Sequence, residues 1–163
     1  MSIYIESMKE EYAKKILNWT YDKPYEIYNM DNDEENMEEL LDGSYYAVVD
    51  KKENLIGYFC FGVSAQVPAG NEYGVYNNKE FIDIGLGMRP DLCGKGNGYE
   101  FIKSGLEYAN KELLEDKIRL TVAEFNTRAI SLYEKAGFKR VMEFWRKNKE
   151  GDFKFIIMEL YLR

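Results

Sequence analysis

"FIDIGLGMRPDLCGKGNGYEFIKSGLEY", residues 81–108, decides the fold. Its first eight residues alternate and run apolar, as a strand does. Glycines then fall at 94, 96 and 98 with a lysine between the first two. From Tyr99 onward Phe101, Ile102, Gly105, Leu106 and Ala109 recur at spacings of three and four, which predicts a helix with one buried stripe. A strand, a glycine turn and a helix together present free backbone N–H groups to an anion. The first helical turn leaves its amides unpaired, and the macrodipole places about half a positive charge there. Glycine suits such a turn because a Cβ would obstruct close approach and because some positions call for φ > 0.

The rest of the chain supplies a mixed frame around this turn. "SIYIES" predicts a first strand, and a helix over about residues 9–19 turns Tyr12, Ile16 and Leu17 inward. The connector "WTYDKPYEIYNMDNDEE" leads to a second helix over 34–41 that stops at Asp42-Gly43. "SYYAVVD" and "LIGYFCFGV" predict a hairpin, residues 64–80 a long loop or a distorted hairpin end, and "FIDIGLGM" the fourth strand. "KIRLTVAEF" alternates as a fifth strand, and "NTRAISLYEKAGF" is a helix ended by Gly137. Two closing strands flank "NKEG". The expectation is one mixed α/β domain over residues 1–163, an antiparallel start followed by strand–helix–strand–helix and a final hairpin.

Composition narrows the chemistry. The 163 residues are 45% apolar and 15% aromatic, enough to bury a core. A formal net charge of −7 argues against a dedicated nucleic-acid binder. No run approaches the roughly eighteen apolar residues of a membrane span, and "MSIYIESMKEEY" lacks a signal-peptide layout, so cytoplasmic residence is expected. Two cysteines, Cys60 and Cys93, make no disulfide framework. There is no histidine, which excludes Ser-His-Asp and Cys-His catalysis; proton transfer falls to carboxylates, tyrosine, lysine, cysteine or water. No metal site is expected.

Neither the Walker loop nor the dinucleotide fingerprint fits the turn, since Lys95 lies among the glycines and the third glycine comes one residue early. "GLGMRPDLCGKGNG" followed by "NTRAISLYEKAGF" instead resembles the GNAT superfamily of acetyl-CoA-dependent N-acetyltransferases. The resemblance covers about residues 81–138, and the first eighty residues carry no family motif. Family members read Q/R-x-x-G-x-G/A where this chain has Cys93, Gly94, Lys95, Gly96, Asn97 and Gly98, so Cys93 replaces a long polar side chain. The resemblance implies a mostly antiparallel sheet of about seven strands flanked by about four helices and splayed between strands 4 and 5.

It also implies the site. The pyrophosphate of acetyl-CoA would rest on the turn through Tyr99, and the pantetheine arm would run along Leu86 and Met88. Asn126 would contact the arm and Tyr133 would stand near the sulfur as the general acid. Read from the residues alone, Asn126 equally caps a helix and Tyr133 equally fills the core. Gly85 and Gly87 fit either a bulge at the splay or packing beside a large side chain. The base is left among Asp83, Glu80 and water. The implied reaction moves an acetyl group to a primary amine on a small molecule or peptide. Its acceptor and any homodimer are left open, and a non-catalytic acyl-CoA sensor is the alternative. The aromatic and acidic connector around Trp19, Tyr21, Tyr25 and Tyr28 could receive a cationic amine or be a half-buried link.

Overall fold

A computed structural model describes residues 2–149 and 151–162, and it carries the expected elements in the expected order. The strands follow the sheet order β1-β2-β3-β4-β5-β7-β6. The chain divides into two compact units, Met1–Cys60 with Leu86–Phe101, and Phe61–Gly85 with Ile102–Arg163.

In the first unit β1 (Tyr4–Ser7) pairs antiparallel with β2 (Tyr45–Val49), which pairs antiparallel with β3 (Leu55–Phe61). α1 (Glu10–Leu17) buries Tyr12, Ala13, Ile16 and Leu17 at helical spacing. Its first turn carries Glu10 and Glu11 and its last Lys14 and Lys15, the distribution that opposes the macrodipole. α2 (Glu34–Leu40) begins at Asp33, whose side chain accepts the Asn36 N–H at 2.8 Å. Gly57 on β3 lets two elements close in. A Cβ there would stand 2.5 Å from the Phe101 ring and 2.6 Å from the Gly87 carbonyl oxygen. Phe59 stacks on Phe101 with centroids 4.7 Å apart.

In the second unit the start of β4 (Ile82–Met88) pairs in parallel with β5 (Lys117–Ala123) at Ile82↔Ile118 and Asp83↔Arg119, the short ladder of a splayed pair. The connection between them runs through α3 (Gly98–Lys111), as a parallel pair requires a crossover. β5 then pairs antiparallel with β7 (Gly151–Tyr161), and β7 with β6 (Lys139–Asn148). Ile118, Leu120 and Val122 alternate into the core opposite Leu160, Met158 and Ile156. β7 lies between two strands and is buried without a break from Phe155 to Met158. α4 (Thr127–Ala136) stops at Gly137 with φ +109°, as its sequence predicts. The expected long loop after β3 is partly ordered, with short 3₁₀ turns at Gly62–Ala65 and Pro68–Tyr73.

Candidate active site

The glycine turn lies in the first unit. Gly94 has φ +72° and Gly96 φ +82°, left-handed conformations that L side chains rarely adopt. A Cβ built on Gly96 meets nothing within 4 Å, so the turn opens outward at that point. Gly98 begins α3, and the helix's bonding starts with Phe101 N–H to the Asn97 carbonyl at 3.1 Å. The amides of Gly98, Tyr99 and Glu100 precede that bond, at the end of the helix where the dipole is positive. Gly94, Lys95 and Gly96 are exposed, while Cys93, Asn97 and Tyr99 are half-buried.

The end of β4 is held from several sides. The Met88 carbonyl accepts the Tyr21 hydroxyl at 2.8 Å and the Cys93 thiol at 3.6 Å. Burial, and next the nearby Cys93, push the Tyr21 phenol well above its ordinary pKa, so it serves as a proton-bearing donor. The Arg89 N–H reaches the Ile56 carbonyl at 2.9 Å. Its guanidinium donates to the Leu55 carbonyl at 2.9 Å and to both oxygens of Asp91 at 2.6 and 3.2 Å. Gly87 faces the ring of Tyr58, which a Cβ would meet at 2.3 Å. Packing beside a large side chain therefore accounts for Gly87. Trp19 stacks on the same Tyr58 ring at 6.3 Å. Within the connector, Trp19 and Tyr21 thus brace β3 and the end of β4; their aromatic character alone did not reveal which partners they would find.

The second unit holds the remaining candidates. Asp83 is buried, and Arg119 grips it through Nε to Oδ1 and Nη2 to Oδ2, each at 2.8 Å. Gln66 Nε2 adds a third bond to Oδ2, also at 2.8 Å. Arg119 Nη1 donates to the Asn78 carbonyl at 3.1 Å, and its guanidinium lies 5.2 Å from the Tyr76 ring centroid. Desolvation by burial works against the Arg119 charge, but the hydrogen bonds and charge of Asp83 outweigh it and raise its pKa. This pairing argues against Asp83 as the base. Its lone pairs are committed to a cation that stays charged, so protonating it would break a buried pair. Strand alternation places Arg119 between Ile118 and Leu120, on the face that in an isolated strand would meet solvent; its burial depends on Asp83, which no local pattern announces. Glu80 is exposed, 3.4 Å from Lys117 Nζ.

Asn126 caps α4, its Oδ1 accepting the Ala129 N–H at 3.2 Å. Tyr133 is buried on α4, and its ring meets Phe138 edge-on at 6.0 Å. Among the described residues no three of His, Cys, Asp and Glu gather as a metal ion would require, and no helix is long and apolar enough to cross a membrane.

Known proteins share both sequence and fold. Residues 11–138 match the acetyltransferase (GNAT) family. The spermidine N(1)-acetyltransferase of Vibrio cholerae is 28% identical over 162 residues, 91% of this chain and 84% of that protein. The mycothiol acetyltransferase of Salinispora tropica is 40% identical over 55 residues, 34% of this chain and 18% of that one. A GNAT-family acetyltransferase structure from Bacillus anthracis covers 98% of the chain, and the chain 94% of it, at a TM-score of 0.73 and 17% identity. A chimeric Vibrio cholerae spermidine N-acetyltransferase gives 0.71 at 20% identity, with coverage of 99% and 96%. At these identities the structural likenesses speak to the fold, and the sequence match supplies the lineage. With 128 consecutive residues inside that match, from the second residue of α1 through the glycine turn and helix α4, the chain belongs to the GNAT family of acetyltransferases.

Proposed function

We propose that the protein transfers an acetyl group from acetyl-CoA to a primary amine, with the cofactor's pyrophosphate on the amides of residues 94 to 99. The backbone of the turn carries this reading. Positive φ at Gly94 and Gly96 directs the chain into the N-terminus of α3, and open space lies where a Gly96 side chain would stand. The residues present fit the group. Acetyl-CoA would supply an activated acyl carbon and a thiolate leaving group, and the chain would bind and orient it.

Cys93, Gly94, Lys95, Gly96, Asn97, Gly98 and Tyr99 serve through main-chain N–H groups, so the loss of a long polar side chain at position 93 leaves the cradle intact. Leu86 and Met88 line the pantetheine arm with strand backbone. The Tyr21 hydroxyl and the Cys93 thiol keep the Met88 carbonyl turned toward them, which fixes the strand end. Strand-end amides there stabilise the oxyanion as the amine attacks. Asn126 positions the start of α4, and through it Tyr133. As the C–N bond formed and the C–S bond broke, Tyr133 would give its proton to the departing thiolate and the nitrogen would release its second proton to water, the tyrosine being reprotonated from solvent.

An alkyl ammonium has a pKa of about 10.4 and must lose one proton before it attacks. Water is assigned as the acceptor of that proton, because Asp83 is bound by Arg119. Residues 1–163 act as one transferase domain, which is supported by β4 and α3 each having residues in both units. The relative named for spermidine supports an amine acceptor.

The test is CoA-thiol release from acetyl-CoA across a panel of amines, with calorimetric binding of CoA run alongside. Turnover with at least one amine supports the reading. Tight CoA binding with no turnover on any amine would leave an acyl-CoA sensor, and no CoA binding would remove the reading altogether.

A further inference from the structure

Tyr58 on β3 brings to the end of β4 a hydroxyl that the mechanism above does not use. A Cβ built on Gly87 would stand 2.5 Å from Tyr58 Cζ and 2.7 Å from its Oη. The phenol therefore lies over Gly87, the residue between Leu86 and Met88. Trp19 stacks on the ring at 6.3 Å with an interplanar angle of 25°, and Tyr45 leans on it at 5.6 Å. Both Tyr58 and Trp19 are only half-buried. The stacking uses the ring and fixes its place; the hydroxyl is the atom carried to β4.

The two faces of the sheet differ at this point. Gly57 and Phe59, on either side of Tyr58 in β3, turn to Phe101. A Cβ on Gly57 would meet that ring at 2.5 Å, and Phe59 stacks on it at 4.7 Å. Strand alternation puts Tyr58 on the opposite face. Phe101 belongs to the first turn of α3, so a pyrophosphate on residues 94 to 99 would bring the cofactor to Leu86 and Met88 from the Phe101 face. The Tyr58 face is then the side left for the incoming amine. A phenol oxygen accepts hydrogen bonds as well as donating one, and a primary amine that attacks through its lone pair still has N–H groups to donate.

We infer that Tyr58 orients the acceptor, its hydroxyl oxygen accepting one N–H of the attacking amine and holding the nitrogen over the acyl carbon. This rests on the transferase reading above. Tyr58 keeps its own proton throughout. The nitrogen lone pair forms the C–N bond, the C–S bond breaks to the thiolate, and the protons follow the course already given. The gain is one of orientation, since a nitrogen held in line with the carbonyl spends less of its freedom on reaching it.

Tyr58→Phe keeps the ring, its stack on Trp19 and the cover over Gly87, and removes the hydroxyl alone. The experiment is steady-state kinetics with putrescine, spermidine, lysine and tyramine as acceptors. For any amine that the wild type acetylates, Tyr58→Phe should lower kcat/KM by about fivefold or more, as the loss of one hydrogen bond would. KM for acetyl-CoA should stay within about twofold, with the melting temperature little changed. Tyr45→Phe is the control, because Tyr45 is a buried member of the same cluster whose hydroxyl lies 3.5 Å from Glu39. It should leave kcat/KM for the amine within about twofold. An unchanged kcat/KM in Tyr58→Phe overturns the inference. So does an equal loss in Tyr45→Phe or a matching rise in KM for acetyl-CoA, either of which would make the hydroxyl a support of β4. If none of the four amines is acetylated, the transferase reading fails separately. Calorimetry of the same amines into the protein with CoA present then decides the role of Tyr58. Binding of at least one amine to wild type, weakened about fivefold or more in Tyr58→Phe, upholds it. Equal or absent binding sinks it.

Discussion

Arg119 holds Asp83 by two parallel hydrogen bonds of 2.8 Å, with both side chains buried, and the pair fastens β5 to the start of β4. Breaking a buried pair by removing one partner leaves an uncompensated charge, at a typical cost of about 3–5 kcal/mol. Asp83→Asn should therefore lower the melting temperature sharply, while the pH dependence of kcat/KM in the protein that remains folded keeps its shape. A pH profile that loses its acidic limb in Asp83→Asn would restore the carboxylate as the base.

Tyr21→Phe removes the bond to the Met88 carbonyl and keeps the ring. A neutral hydrogen bond of this kind contributes about 1 kcal/mol. The expected outcome is a small loss of stability, together with a rise of a few-fold in KM for acetyl-CoA as the strand end loosens. An unchanged KM would show that Met88 needs no such tether.

Burial pushes the phenols of Tyr21, Tyr45 and Tyr76 above their ordinary value. In the unfolded chain they ionise near pH 10, whereas in the folded chain they keep their protons beyond it. Above that pH the folded state binds more protons than the unfolded one. Stability is thus fully present below about pH 10 and falls as the pH rises past it. Phenolate absorbance followed during an alkaline titration should show these three tyrosines ionising only as the fold is lost. Their ionisation in an intact fold would contradict the burial argument.

Cys93 is held by the Met88 and Arg89 carbonyls at 3.6 and 3.7 Å, and the sequence holds no histidine to activate it. Cys93→Ser should keep turnover within a few-fold. A stable acetyl adduct on Cys93 in intact-protein mass spectrometry would make it a nucleophile instead.

Tyr133→Phe keeps the buried ring and its edge contact with Phe138 while removing the hydroxyl. General acid catalysis contributes about 10²- to 10⁴-fold, and water substitutes in part for a missing acid. kcat should fall at least tenfold, with CoA affinity and melting temperature little changed. Full kcat with chemistry rate-limiting would place the acid elsewhere.

The elements were legible because their signals are local. Alternation marked β4 and β5, helical spacing marked α1 and α3, and Gly137 marked the end of α4. The left-handed turn was legible too, since Gly94 and Gly96 are the residues that such backbone needs. Other features depend on residues far apart in the chain. Asp83 and Arg119 are separated by an entire strand–helix–strand crossover, and each alone reads as a polar residue in a strand. Tyr21 finds the Met88 carbonyl 67 residues away. Arg146 shares β6 with Lys139, Arg140, Glu143 and Lys147 and reads as one more surface arginine until Phe153 and Phe155 are seen against it. Charge and aromatic content are visible in a sequence, but which groups share a buried face is decided by pairing register.

Calorimetric titration of acetyl-CoA into the wild-type protein and into Gly96→Val tests the central claim most directly. A β-branched side chain at φ +82° both strains the turn and occupies the open space in front of it. Binding should weaken by well over tenfold, which corresponds to more than about 1.4 kcal/mol, in a protein that still melts cooperatively. Equal affinity in a folded Gly96→Val protein would mean that the pyrophosphate does not rest on this turn.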